Sequence, residues 1–229
     1  VTTIGTGAFS GCSSLTSVTI PEAVINIGSF AFAGCTSLTS IVIPDGVITM
    51  GTAVFRDCSS LTAATVGNRV TSIADNTFYG CSNLTSVLIG SRVTSIGYIA
   101  FQGCSGLTSI SIPDSVTNIG EYAFYGCSGL TVVEIGSGAF IIEEGAFSDC
   151  TRLASVTIHS NTANIGYRAF YGCSSLINVL IGDSVMIGNS GGSIGNQAFY
   201  GCSSLTGVSL GNSIASIGYH AFLGCSSLT

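Results

Sequence analysis

Ten cysteines are the most prominent reactive side chains of this 229-residue chain. They stand at Cys12, Cys35, Cys58, Cys81, Cys104, Cys127, Cys150, Cys173, Cys202 and Cys225, 23 residues apart except for the 29 between Cys173 and Cys202. Thiols at such positions can bind zinc, pair as disulfides or stay free. Zinc needs clustered pairs such as C-x-x-C, and the sequence has none. Disulfides between successive cysteines and buried free thiols are both open readings. The spacing favours free thiols, because stacked strands hold equivalent Cβ atoms about 4.8 Å apart, whereas a disulfide holds them about 3.8 Å apart. Cysteine also fills a core as a small hydrophobe.

The remaining chemistry is sparse. Gly188-Asn189-Ser190-Gly191-Gly192 matches G-x-S-x-G. A nucleophile there needs a strand before it, a helix after it, and a histidine and an acid in reach. The two histidines, His159 and His220, belong to other parts of the pattern. Glu143 and Glu144, with Glu121 or Asp149 as potential neighbours, form an acidic spot. Metal binding needs more convergent oxygens than that, so a solvated turn is the simpler reading. Gly136-Ser137-Gly138 lacks the third glycine and the strand–helix context of a dinucleotide loop. Asn83-Leu84-Thr85 is a glycosylation sequon whose leucine is also a core position of the pattern. No catalytic, cofactor-binding or metal-ligating residue is assigned, and the chain is not expected to be an enzyme.

The elements around the cysteines explain why. A phenylalanine lies three residues before each cysteine, from Phe9 to Phe222, and a leucine three residues after, from Leu15 to Leu228. Self-similarity at this period marks a stacked solenoid with one coil per repeat, here ten. Leu15-x-x-Val18-x-Ile20 has the alternation of a short strand with one face inward. Pro21, Pro44 and Pro113 close that strand, since proline cannot continue a hydrogen-bond ladder. Gly67, Gly90, Gly136, Gly182 and Gly211 take the same corner elsewhere. A second apolar pair follows, as in Val93-x-x-Ile96, and then glycine, two variable residues and Ala-Phe. That last segment is expected to be a tight helical or 3₁₀ turn. Parallel strands at about 4.8 Å make ten coils about 45 Å long.

Residues 1–229 therefore read as one array. It begins at Val1, in phase with Val24, and stops at Thr229, in phase with Thr16, without a polar cap at either end. The chain is expected to be a window of a longer protein; the other reading is head-to-tail self-association through the uncapped coils. The one length change lies between Val185 and Ile194, so residues 186–193 are expected to bulge outward as a loop. Met50, Asp57 and Asp149 are the other departures from the pattern.

Composition narrows the partners. Charged residues make up 7% of the chain and the mean hydropathy is +0.64, which fits a large core and not a disordered chain. A net charge of −6 with five basic residues argues against nucleic acid. No apolar run approaches the roughly 20 residues of a membrane span, and no basic amphipathic stretch suggests membrane docking.

Two outward columns are candidate ligand surfaces. The strand positions Ser86, Leu88, Ser109, Ser111, Val132, Glu134, Ser155 and Thr157 form a nearly uncharged face of small hydroxyls with apolar spots. Tyr79, Tyr125, Tyr171 and Tyr200 each follow the phenylalanine of the Ala-Phe turn, while Tyr98, Tyr122, Tyr167 and Tyr219 precede it. Tyrosine offers an apolar ring and a polar tip, suited to sugars or a protein partner. The same rings can instead simply cover the coil edge and stack on each other.

The unit Ile-Gly-x-x-Ala-Phe-x-Gly-Cys-Ser-Ser-Leu-Thr-Ser-Val-Thr-Ile-Pro, nearly complete from Ile4 to Pro21, resembles the BspA-like class of leucine-rich repeats. The resemblance covers the whole chain. It implies a curved, right-handed leucine-rich-repeat solenoid, mostly β, with the strand on the concave face. It also implies an extracellular or cell-surface protein, non-catalytic, that adheres to protein or glycan partners. A structural array or filament is the alternative. A face matched to a regular lattice such as ice is more remote, because Leu88, Val132, Glu134 and Leu180 interrupt the hydroxyl rows.

Overall fold

The computed structural model describes residues 1–159, 162, 164–182, 192–212 and 214–229. Each full coil carries two strands. The short ones are β1 (Thr3–Ile4), β2 (Asn26–Ile27), β4 (Thr49–Met50), β6 (Ser72–Ile73), β8 (Ser95–Ile96), β10 (Asn118–Ile119), β12 (Ile141–Ile142), β14 (Asn164–Ile165), β16 (Gly192–Ile194) and β18 (Ile214–Ile217). The longer ones are β3 (Ser40–Ile43), β5 (Ala63–Val66), β7 (Ser86–Leu88), β9 (Ser109–Ile112), β11 (Val132–Ile135), β13 (Ser155–Ile158), β15 (Asn178–Ile181) and β17 (Gly207–Ser209). Every pairing is parallel and joins neighbouring coils, in register except for a shift between Gly192 and Ser193 where β16 meets β18: Val133 of β11 lies between Ile110 of β9 and Val156 of β13. The chain is thus a parallel-strand solenoid with a repeat of about 23 residues. Residues 17–20 of the first coil lie outside any strand, although the Thr39 N–H still reaches the Thr16 carbonyl at 3.2 Å. The short ladder is interrupted between β4 and β6, where Met50 replaces isoleucine and Ala74 replaces glycine.

The core is a set of columns. From Phe9 to Phe222 successive rings stack, as in Phe101–Phe124 at 4.9 Å and Phe124–Phe147 at 5.0 Å between centroids. Leucines from Leu38 to Leu205 and the inward residues of the long strands fill the space beside them. No coil is thick enough to bury these side chains alone, so hydrophobic burial, about 1.5–3 kcal/mol per large side chain, is realised only between coils.

The cysteine column settles as free thiols. Each interior thiol donates to the carbonyl of the phenylalanine one coil earlier: Cys104 Sγ to Phe78 O at 3.2 Å, Cys127 Sγ to Phe101 O at 3.2 Å. A small apolar side chain with a weak donor fits a site that is dry yet faces a carbonyl. Burial pushes the Cys58 and Cys127 thiols up to about 12 and also raises Cys81, Cys104 and Cys150.

The Ala-Phe segment is not a helix, contrary to expectation. Ala100, Gln102 and Cys104 donate back three residues within their coil, to Gly97, Ile99 and Phe101. The intervening Ile99, Phe101 and Gly103 donate instead to Glu121, Ala123 and Tyr125 of the next coil. Every second amide is given away, so the segment becomes consecutive β-turns rather than a helix. Aiming those amides across the gap requires left-handed backbone at two places per coil. One is the residue before Ala-Phe, with φ of +46° at Ile99, +54° at Tyr122 and +54° at Arg168. The other is the glycine before each cysteine, with φ of +76° at Gly103, where Asp57 and Asp149 adopt +58°.

Of the expected 186–193 loop, Gly192 and Ser193 belong to β16, where Ser193 pairs with Asn164. The rest of that segment, and the G-x-S-x-G string apart from Gly192, lie outside the described residues.

Candidate functional site

The long strands alternate buried and exposed residues, which projects two columns outward. Val132 sits between Ser109 and Ser155, and Glu134 between Ser111 and Thr157. Ser111, Val132, Glu134, Ser155 and Thr157 line a shallow hollow of about 600 Å³, with Asp114 and His159 along its edge. Asp114 Oδ1 accepts the Ser137 amide at 2.7 Å and hydroxyl at 3.0 Å, bonds that hold its carboxyl below the usual carboxylate range. Leu88 belongs to a second hollow of about 360 Å³, with Val42 and Thr65. Ser86 and Ser109 share the face but neither hollow. Four apolar side chains are unusually open on this otherwise small-residue surface: Val42 at 61%, Leu88 at 66%, Val132 at 42% and Leu180 at 51%.

The tyrosines lie along the β-turn segment. Tyr125 and Tyr171 come together in a cavity of about 470 Å³, while Tyr79 and Tyr200 flank it. The Arg56 guanidinium lies 4.7 Å from the Tyr79 ring centre, and Tyr200 stacks on Tyr171 at 5.0 Å. Tyr98 and Tyr122, which precede the Ala-Phe pair, line it as well, and it also takes in residues that the reading of the tyrosines did not: Gln102, Ser148, Asp149 and Arg168. In the sequence Asp149 stands out as a replacement of glycine and as a potential neighbour of the Glu143–Glu144 acidic spot. Arg168 carried a signal that phase arithmetic can find, since it occupies the same position of its coil as Tyr122.

Local bonding fixes these groups. Tyr122 and Tyr125 meet edge to face at 6.0 Å. The Tyr122 hydroxyl donates to Glu144, which with burial and nearby acids pushes the phenol up to about 12. The Asp149 charge raises Tyr125 likewise, aided by burial and a hydrogen bond between the two. Arg168 Nε donates to Gln197 Oε1 at 2.7 Å, and its guanidinium sits 4.8 Å from Tyr167 and 5.0 Å from Tyr171. Glu143 accepts from Asn118 Nδ2 at 2.8 Å, so both members of the acidic pair are engaged in side-chain bonds. No group of three or more metal-ligating side chains occurs among the described residues.

The comparisons with known proteins agree with this architecture. The BspA type leucine rich repeat region matches in six copies, over residues 1–108, 71–191 and 183–229. A leucine-rich repeat protein from Bacteroides ovatus is 29% identical, with a TM-score of 0.60, covering 93% of this chain and 73% of its own. A leucine rich cell surface protein from Faecalibacterium prausnitzii is 30% identical, with a TM-score of 0.58, covering 100% of this chain and 76% of its own. A leucine-rich repeat protein from Eubacterium ventriosum shares the fold at 23% identity and a TM-score of 0.63, covering 100% of this chain and 81% of its own. No curated protein matches the chain. With the period, the phenylalanine and cysteine columns and the parallel ladders in place, the chain belongs to the BspA-type leucine-rich-repeat family.

Proposed function

We propose that this chain is a non-catalytic recognition or adhesion module, secreted or displayed at a cell surface, that binds a protein or glycan partner through its long-strand face. The observation that carries the proposal is the set Val42, Leu88, Val132 and Leu180, exposed on the nearly uncharged long-strand face. Large apolar side chains held open on ordered backbone are the usual anchors of a binding patch, with small hydroxyls around them as a polar rim. The similarity to a leucine rich cell surface protein supports the setting. An array of immobilised glycans and extracellular-matrix proteins tests the function. Binding is expected, and Leu88→Asp or Val132→Asp is expected to weaken it at least tenfold. Silence across the whole array from a folded sample would instead favour a purely structural role.

A further inference from the structure

The turn-side cavity is a notch where one coil with small side chains sits between two with large ones. In the left-handed column, Tyr122 and Arg168 are separated by Gly145. In the column after the phenylalanine, Tyr125 and Tyr171 are separated by Ser148. The coil carrying Phe147 is thus small at both places where its neighbours are large, and it contributes Asp149 beside the gap. The Tyr122 ring packs over Gly145, where a Cβ would collide with it, so the glycine seats that ring and the open space lies over Ser148.

We propose that this notch is a second binding site and that it takes a neutral pyranose sugar. The inference rests on reading the chain as a recognition module, but on a different surface from the long-strand face. A pyranose has one apolar C–H face and a rim of hydroxyls that each donate and accept. Tyr98, Tyr122 and Tyr125 supply apolar ring surface for the first. Asp149, an acceptor, and Arg168, a donor, supply the second. Asp149 and Arg168 form no direct ion pair; the ion pair found among the described residues is Arg56–Asp57. Arg168 is also held in place by Gln197 and two rings, which lowers the ordering cost of binding. One guanidinium opposed by Asp149 disfavours an anion, and Arg168 in the wall disfavours a cation, so a neutral polyol fits best. A volume of about 470 Å³ lies within the small-ligand range and accommodates a mono- or disaccharide.

Saturation-transfer NMR tests the proposal with a panel of neutral hexoses, N-acetylhexosamines and their disaccharides, and with sialic acid, inorganic phosphate and choline as charged probes. Transfer to ring C–H protons of at least one neutral sugar is expected. Tyr98→Ala and Asp149→Asn should each weaken that sugar at least tenfold, while Leu88→Asp leaves it unchanged. Tyr98 is about half exposed, and asparagine tolerates the left-handed backbone at 149, so both variants should fold. Transfer to none of the neutral sugars, preference for a charged probe, or retention of sugar binding in both variants would overturn the assignment. Loss in Leu88→Asp alone would move sugar binding to the strand face, overturning the notch but keeping the recognition module. Failure of the notch with array binding intact would have the same meaning.

Discussion

Truncating Phe124 should cost far more than truncating Phe9, although both hold the same place in the repeat. Phe124 is fully buried and stacks on two rings, Phe101 at 4.9 Å and 4° and Phe147 at 5.0 Å and 0°. Phe9 is 37% exposed and stacks on one, Phe32 at 5.1 Å. Replacing a buried phenylalanine by alanine costs about 3–5 kcal/mol, transfer and cavity together. Each aromatic pair is about 0.5–1.5 kcal/mol beyond area burial. Phe124→Ala removes two pairs and the full burial; Phe9→Ala removes one pair and part of the burial, for about 1–2 kcal/mol. Coils couple only to their neighbours, so Phe124→Ala weakens two adjoining interfaces in mid-array and lets the halves unfold apart. Urea unfolding followed by circular dichroism should show a lower midpoint and a shallower transition for Phe124→Ala, and a small midpoint shift alone for Phe9→Ala. Equal losses in the two variants would refute the claim that the ring column couples the coils.

Four further outcomes are expected. Ile99 is β-branched at φ +46°, so Ile99→Asn should relieve up to about 1 kcal/mol of backbone strain and raise the melting temperature by a few degrees. Asn118 Oδ1 is buried without a hydrogen-bond partner and faces Ile141, whereas Asn26 and Asn164 face the hydroxyls of Thr49 and Ser193; Ile141→Thr should supply the missing donor and add about 1 kcal/mol in denaturant melts. The fold favours the neutral Tyr122 phenol, so its contribution is full below its ordinary value of 10.0 and lost as pH rises through about 12; an alkaline titration of phenolate absorbance should lose a late-titrating group in Tyr122→Phe, and Glu144→Gln should shift that group downward. With a bulky disulfide reagent on the native 229-residue chain, Cys12 should react first and Cys225 slowly, while the other eight cysteines wait for unfolding; rapid labelling of Cys104 or Cys127 would contradict the buried column.

The architecture was legible because it rests on spacing. Phenylalanine, cysteine and leucine recur in phase, and a column of identical side chains can face only one way in a stacked coil. The segment reads as a helical or 3₁₀ turn from the sequence, and three-residue return bonds do form there, from Ala100, Gln102 and Cys104. What excludes the helix is that Ile99, Phe101 and Gly103 spend their amides on the neighbouring coil, a long-range condition that no single repeat displays. The strand face was likewise readable from alternation. The notch is only half visible in the sequence: Tyr125 and Tyr171 are conspicuous, but the hollow between them arises from Ser148, and a small residue draws no attention until its column is compared. Arg168 and Asp149 share that hollow because coils one apart lie side by side, far from each other though they are in sequence.

The left-handed position before Ala-Phe holds Phe30, Ala53, Asn76, Ile99, Tyr122, Arg168, Gln197 and His220, as well as Gly7 and Gly145. From Gly7 to Gln197 the amide at this position donates a hydrogen bond to the following coil, whatever the side chain. Aromatic, aliphatic, amide and cationic groups all stand there over the same backbone. The fold thereby tolerates a nearly free alphabet along one edge, at the cost of a little strain in each coil. A lineage built on this scaffold can rewrite what that edge touches, one coil at a time, while the interior that holds it together stays the same.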